Sequence, residues 1–229
     1  MYLKYLFNLL GFLHHYRITN YIKNLDFISL IDVGAHEGEF LSSVIKIEKI
    51  KKFFVFEPQL KQFKILSLKF KNNKKIKLYD CGLGENLSYK KLYLSNLSST
   101  STMSVINKNS LYLKLKNLLT MDKLNRFNKV KVNTIDNIFR DISLKKTFLK
   151  IDVEGYEMNV LNGCKKKINE ISYVLVECQF GRHYKNNDFE KIKKFLIKNN
   201  FEVIKSFYFP LFNYKDVLFS KFSGFLKKI

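Results

Sequence analysis

The chain has 229 residues, 46% hydrophobic and 27% charged, which suits one large α/β domain and excludes a fibrous, low-complexity or disordered chain. Its formal net charge is +21, from 41 Lys and Arg against 20 Asp and Glu; because Lys is spread along the whole chain, we expect a diffuse basic surface, with a phosphate-binding or membrane-binding patch as the alternative. The three cysteines, Cys81, Cys164 and Cys178, are odd in number and form no CxxC pair, which argues against a disulfide framework and a zinc site and fits a cytoplasmic protein.

Residues 1–25 have apolar side chains at helical spacing and predict an N-terminal helical cap, followed by a single domain over residues 26–229. The cap lacks a basic region before its apolar stretch and a small-residue cleavage site, and Lys4 and Asn8 interrupt its apolar run, so we expect neither a signal peptide nor a membrane span. Peripheral contact with a membrane is an alternative that we do not expect here. His14 and His15 are interpreted as surface or packing residues.

Apolar, β-prone runs alternate with helical segments through the rest of the chain. Strands are predicted, in chain order, over Phe27–Val33, Lys52–Phe56, Ile76–Asp80, Tyr89–Leu94, Val130–Asn133, Thr147–Asp152, Tyr173–Glu177, Phe201–Ser206 and Val217–Lys221. Helices are predicted over Phe40–Lys49, Leu60–Phe70, Leu111–Leu119, Tyr156–Lys167 and Asp188–Asn199. The alternation predicts a doubly wound, Rossmann-like parallel sheet with helices on both faces and an antiparallel last strand.

In such a sheet, ligands bind at the carboxyl ends of the strands, where the strand order reverses. The first strand runs into Asp32-Val33-Gly34-Ala35-His36-Glu37-Gly38, in which Gly34 permits a sharp turn and Gly38 opens the next helix where a bulkier residue could block a ligand. A second glycine turn begins at Gly82 after the third strand. The candidate cofactor-binding residues are Asp32, Gly34, Ala35, Glu37, Gly38, Glu57, Gly82 and Asp152.

The first glycine loop is neither GxGxxG nor a P-loop. It matches the D-x-G-x-G-x-G pattern of methyltransferases, with His36 in place of the middle glycine; a purely structural turn is the alternative. Glu57 ends the second strand, where an acid binds the ribose hydroxyls of a cofactor. Because Asp32 and Glu37 would repel a pyrophosphate but suit a sulfonium and an ammonium group, the loop favours S-adenosylmethionine over NAD.

The chain resembles the FkbM family of S-adenosylmethionine-dependent methyltransferases. The resemblance rests on the run FLKIDVEGYEMNVLNGC at residues 148–164, on Thr134-Ile135-Asp136 before it, and on the blocks Asp32–Gly38, Phe56-Glu57-Pro58 and Val176-Glu177 in the family's order. It implies a class I methyltransferase sheet and O-methyl transfer to a hydroxyl of a sugar, a glycan or another secondary metabolite.

Catalysis is assigned first to Asp152, as a base or as a hydrogen-bond acceptor that orients the substrate, and next to Glu177 and His183. Many relatives carry a His soon after the Glu, whereas Cys178 follows here and His183 comes later. Activation by a divalent metal is an alternative, but no ligand set is clear and none is predicted. A small-molecule or glycan acceptor is expected, and no nucleic acid. The rival hypotheses are an RNA or other nucleic-acid methyltransferase, which acids at this sheet edge oppose, and a non-catalytic Rossmann-like binding protein.

Overall fold

The structure is a computed structural model that describes residues 2–95, 101–104, 126–179, 189–209 and 214–222, with the backbone alone over residues 2–8. The strands are β1 (Ser29–Val33), β2 (Lys52–Phe56), β3 (Ile76–Tyr79), β4 (Gly82–Leu83), β5 (Ser88–Tyr93), β6 (Phe127–Asn133), β7 (Thr147–Ile151), β8 (Ile171–Gln179), β9 (Phe201–Tyr208) and β10 (Tyr214–Lys221). The helices are α1 (Tyr2–Ile22), α2 (Glu39–Val44), α3 (Leu60–Phe70), α4 (Ile135–Ile138), α5 (Glu157–Asn162) and α6 (Phe189–Lys198). The helix predicted over residues 111–119 lies outside the described residues.

Seven strands form the main sheet in the order β3-β2-β1-β7-β8-β10-β9. β1 pairs in parallel with β2 on one side and β7 on the other, so the strand order reverses between β1 and β7. β10 runs antiparallel to both β8 and β9. The predicted doubly wound sheet with an antiparallel last strand is therefore confirmed.

Two predicted helices are shorter than their apolar patterns suggested. Beyond Val44 the chain continues in tight turns, closed by hydrogen bonds from Ile47 N to Val44 O and from Ile50 N to Ile47 O. α5 ends at Asn162 because the next residue, Gly163, packs directly against the backbone at Gly84. A Cβ atom at Gly163 would come within 2.0 Å of Gly84 O.

A second, three-stranded sheet with the order β4-β6-β5 was not predicted. Gly82 and Leu83, expected in a turn, form a short strand that pairs in parallel with β6, and this pairing keeps Leu83 fully buried. The short helix α4 begins after Thr134, whose hydroxyl accepts a hydrogen bond from Asn137 N at 3.0 Å and so caps the helix.

The two faces of the main sheet each cover a hydrophobic core. α1, α2 and α3 pack on the face that carries Leu30, Phe53 and Phe148, and α4, α5 and α6 pack on the opposite face. α1 contributes Ile18 and Ile22, which are buried completely or almost so. Within the described ranges, no helix combines the length and the apolar character needed to cross a membrane.

Candidate active site

The carboxyl ends of β1, β2 and β7 meet at the point where the strand order reverses, and a half-open cleft lies there. The residues that line it come from these strand ends, from β5 and from a short segment that follows β5: Gly34, His36, Glu57, Pro58, Gln59, Leu92, Ser101, Met103, Asp152, Val153 and Glu154. Its enclosed volume is ≈ 40 Å³, so a nucleoside-sized ligand would extend beyond the enclosed part. The cleft occupies the position at which doubly wound sheets bind their ligands.

The turn after β1 explains its first glycine. Gly34 has a φ of +82°, and a Cβ atom there would come within 1.9 Å of Asp152 O, so the ends of β1 and β7 can approach only if residue 34 is glycine. His36, which replaces the middle glycine of the pattern, adopts a left-handed φ of 50°. Its Nδ1 lies 2.7 Å from Glu39 Oε1.

The other predicted cofactor residues of this loop lie in different surroundings. A Cβ atom at Gly38 would meet Phe70 and Leu66 of α3 at 2.6 and 2.8 Å, so the structural reason for glycine here is helix packing rather than space for a ligand. Ala35 is buried, and its N–H donates to Phe56 O at 3.1 Å. The Glu37 carbonyl accepts a hydrogen bond from Lys69.

Glu57 follows β2 and lines the cleft while its side chain is 3% exposed. Its two carboxylate oxygens accept hydrogen bonds from His36 N and Gln59 N, each at 2.8 Å. Burial raises the pKa of Glu57, and these two backbone donors oppose that rise. Each oxygen keeps a second lone pair, so the carboxylate can still accept from the hydroxyls of a ligand. Gly82 lies one layer behind the cleft, beneath Met103 and Pro58.

A set of charged side chains lies on the face of the sheet that α1 covers, near the carboxyl ends of the strands. Lys150 Nζ lies 3.1 Å from Asp32 Oδ1 and 3.2 Å from Asp152 Oδ2. Asp152 is hydrogen-bonded to Glu177, and Glu177 stands opposite Asp216 in the pairing of β8 with β10. We call Asp32, Asp152, Glu177 and Asp216 the acidic row.

One member of the acidic row is open to solvent. The Asp152 side chain is 36% exposed, whereas those of Asp32 and Lys150 are 0% and 5% exposed. Asp32 therefore lies behind Lys150 rather than at the surface of the cleft, and its Oδ2 atom has no hydrogen-bond partner among the described residues. Asp152 is therefore the acid of the row whose side chain is open to solvent at the cleft.

The ionisable groups around Asp152 shift one another's pKa values in different directions. Burial alone would raise the pKa of Asp152, but the Lys150 charge and the hydrogen bond from Glu177 hold it below its usual value. Burial and the neighbouring Asp152 charge raise the pKa of Glu177 well above its usual value. Burial alone would lower the pKa of Lys150, but the charges of Asp152 and Asp32 raise it. Of the two hydrogen-bonded carboxyl groups, Asp152 therefore loses its proton more readily and Glu177 holds its proton more tightly.

The N-terminal helix brings two histidines to the same region. His14 is 3% exposed, and its Nε2 lies 2.6 Å from Asp216 Oδ2. His15 packs edge-on against Phe40, and burial together with the Lys150 charge lowers its pKa to about 4. The sequence interpretation treated both as surface or packing residues and gave them no place in the site. His14 and Asp216 are 202 positions apart, so no local pattern could have joined them.

Lys150 was also missed, although the sequence carries a signal for it. It is a lysine inside an otherwise apolar, buried strand, two positions before Asp152, so both side chains point to the same face of β7.

Glu177 was predicted and lies beside Asp152, while His183 lies outside the described residues. Within the parts of the chain that the structure describes, no group of three or more His, Cys, Asp or Glu side chains is arranged to hold a metal ion.

The strand order, the glycine turn after β1 and the acid after β2 define a class I, S-adenosylmethionine-dependent methyltransferase. The family model for the methyltransferase FkbM domain matches residues 32–203, and the chain belongs to this family. The predicted family, enzyme class and cofactor are thereby confirmed. α1 lies outside the matched range.

Solved structures share the fold at low sequence identity. The methyltransferase domain of bacterial CtHen1-C superimposes with a TM-score of 0.53 at 11% identity, covering 92% of this chain and 98% of that one. A candidate tRNA (m1A22) methyltransferase from Streptococcus pneumoniae, solved with S-adenosyl-L-methionine, gives 0.50 at 9% identity, covering 90% and 72%. A candidate rRNA methylase from Clostridium thermocellum gives 0.50 at 12% identity, covering 90% and 96%. A search of the curated proteins found no match.

Proposed function

We propose that the protein transfers a methyl group to a hydroxyl oxygen of a sugar, a glycan or another secondary metabolite, and that the acceptor binds beside Asp152. The observation that carries this proposal is the partly exposed Asp152 carboxylate, which lines the cleft next to the Gly34 turn. An ionised carboxylate at this point offers a hydroxyl group a charged hydrogen-bond acceptor.

The residues of the cleft fit S-adenosyl-L-methionine, which when bound supplies an electrophilic methyl group on a positively charged sulfur. Glu57 lines the cleft and its carboxylate can accept further hydrogen bonds, which supports a contact with ribose hydroxyls. Gly34 has no side chain to fill the cleft beside the end of β7. Asp152, Glu154 and Glu57 give the cleft a negative lining that favours a sulfonium and an ammonium group over a pyrophosphate.

Asp152 would then align the acceptor hydroxyl and accept its proton while the methyl carbon passes from sulfur to oxygen, so that the carbon–sulfur bond breaks as the carbon–oxygen bond forms. Alignment by a charged hydrogen bond contributes by holding the reacting atoms close, and proton removal contributes typically a factor of about 10²–10⁴. Glu177 supports this role because it donates a hydrogen bond to Asp152 and shares the proton of the pair. Lys150 keeps Asp152 ionised.

A nucleic-acid acceptor is the second candidate, and the net charge of +21 favours it. The acids that line the cleft, Glu57, Asp152 and Glu154, oppose it, because carboxylates at the mouth of the site repel a phosphate backbone. Methylation of RNA with a steep dependence on salt would decide for this alternative.

The N-terminal residues 1–25 are proposed to act as a helical cap on a methyltransferase domain of residues 26–229, since α1 buries Ile18 and Ile22 in the core. We also propose a cytoplasmic location, because Cys81, Cys164 and Cys178 are buried as free thiols, which is typical of proteins in a reducing compartment.

The test is radiolabelled methyl transfer from S-adenosyl-L-methionine to a panel of sugars and polyols and, in parallel, to total RNA. With the best acceptor, Asp152→Asn should lower the single-turnover rate by about 10²-fold or more while the melting temperature changes little. Glu202→Gln, an exposed acid on β9, is the matched control. A near-normal rate for Asp152→Asn would make Asp152 structural and move the search for the base to Glu177 and His183.

A further inference from the structure

α1 presents apolar side chains on two opposite faces. The inner face carries His14, Ile18 and Ile22, which are at most 3% exposed and pack against the sheet. On the outer face, four large side chains at positions i, i+3, i+4 and i+7 are 45–63% exposed. These residues, Leu9, Phe12, Leu13 and Tyr16, form one continuous stripe on the helix surface, which we call the outer stripe.

The outer stripe is more than the scattered apolar exposure of an ordinary surface. Four adjacent large side chains expose on the order of a few hundred Å², the size at which an apolar patch marks an interaction site. A helix that is apolar all round needs a cover on both sides, and the protein core covers only the inner one. The same outer face turns polar toward the end of the helix, where Asn20, Lys23 and Asn24 are exposed.

The charge around the stripe indicates what covers it. The first acidic residue of the chain is Asp26, and before it stand Lys4, Arg17 and Lys23. Arg17 is exposed on α1 and donates to Tyr208 O at 3.3 Å, and Lys205 of β9 lies 5.7 Å from the Tyr21 ring. An apolar stripe in a cationic surround matches an anionic lipid surface. A second copy of the chain fits poorly, because each copy has a net charge of +21.

We propose that α1 docks on the surface of an anionic lipid bilayer, with the outer stripe at the boundary between headgroups and acyl chains and Arg17 and Lys23 against the headgroups. Aromatic side chains such as Tyr16 and Phe12 suit this depth. His14 on the inner face reaches Asp216 of the acidic row, so docking through the outer stripe holds the carboxyl edge of the sheet close to the membrane. This surface goes beyond methyl transfer and stands whatever the acceptor is.

The absence of tryptophan from the sequence makes a direct test available. In the full chain, Phe12→Trp introduces a single fluorophore in the outer stripe, and Ile197→Trp introduces one at a comparably exposed site on α6, across the sheet. With vesicles of phosphatidylcholine and phosphatidylglycerol, the emission of the Phe12→Trp variant should shift to the blue and be quenched by brominated lipid chains. The Ile197→Trp variant should show neither change. Pure phosphatidylcholine vesicles should produce a much smaller shift.

A second measurement removes the apolar contact. The double variant Phe12→Gln and Leu13→Gln should lower the partition coefficient into anionic vesicles by about tenfold or more, which corresponds to about 1.4 kcal/mol. Ile197→Gln should leave it unchanged. Sedimentation with vesicles but without a blue shift for Phe12→Trp would overturn the proposal, as would no binding to anionic vesicles. A dimer in solution that the double variant dissociates would also overturn it, in favour of a second copy.

Discussion

Glu157 opens α5 just behind the active-site turn, and its ionisation should set how stability depends on pH. The side chain is 2% exposed; Oε1 accepts a hydrogen bond from Gly155 N at 2.9 Å, and Oε2 is buried without a partner among the described residues. Burial raises the pKa of Glu157 from 4.5 to about 7. The folded protein therefore holds this proton more tightly than the unfolded chain does.

The direction in which pH changes the stability follows from this difference in pKa between the folded and unfolded states. The contribution of Glu157 to stability is complete below about pH 4.5 and is lost as the pH rises through about 7, and a pKa difference of this size corresponds to at most about 3 kcal/mol. In Glu157→Gln the amide oxygen can still accept from Gly155 N, but nothing titrates. We expect the variant to match the wild type near pH 4 and to gain on it by up to about 3 kcal/mol by pH 8.

The assay is urea unfolding followed by circular dichroism between pH 4 and pH 8, with Glu202→Gln as the exposed control. The control should follow the wild type at every pH. If the curves of Glu157→Gln and the wild type run parallel across this range, Glu157 does not titrate differently in the folded protein. A variant that is less stable by about 1 kcal/mol at every pH would indicate only a helix-capping and dipole role for Glu157.

Two further substitutions test the cofactor cleft. Glu57→Ala should weaken S-adenosyl-L-methionine binding by about 1–3 kcal/mol in calorimetry, since it removes charged hydrogen-bond acceptors, and unchanged affinity would refute a ribose contact. Gly34→Ala should cost about 4 kcal/mol or more in urea unfolding, because its Cβ would lie 1.9 Å from Asp152 O at a φ of +82°, whereas Gly11→Ala, with no atom within 4 Å, should add up to about 1 kcal/mol to helix stability. Equal stabilities for the two alanine variants would contradict the close approach of β1 and β7.

The sequence was sufficient for the features that depend on local patterns. The buried strands β1, β2 and β7 end within a residue or two of their predicted limits, because each is a short apolar run closed by a turn. The same patterns placed Gly34, Glu57, Asp152 and Glu177 at strand ends, and parallel strands bring their carboxyl ends to one edge. The family could be recognised because its blocks stand in order along the chain.

Only the tertiary structure determines which of those residues face the cleft and which are buried behind it. Asp32 and Asp152 are both acids at strand ends, yet the pleat and the pairing of β1 with β7 bury Asp32 behind Lys150 and leave Asp152 in the cleft. Gly34 and Gly38 look alike in the sequence, but one accommodates the backbone of β7 and the other the side chains of α3. His14 reaches Asp216 only because α1 packs across the sheet onto the last strand. Long-range packing set these contacts, and its physical cause is the burial of the apolar faces of the sheet, which no short stretch of sequence encodes.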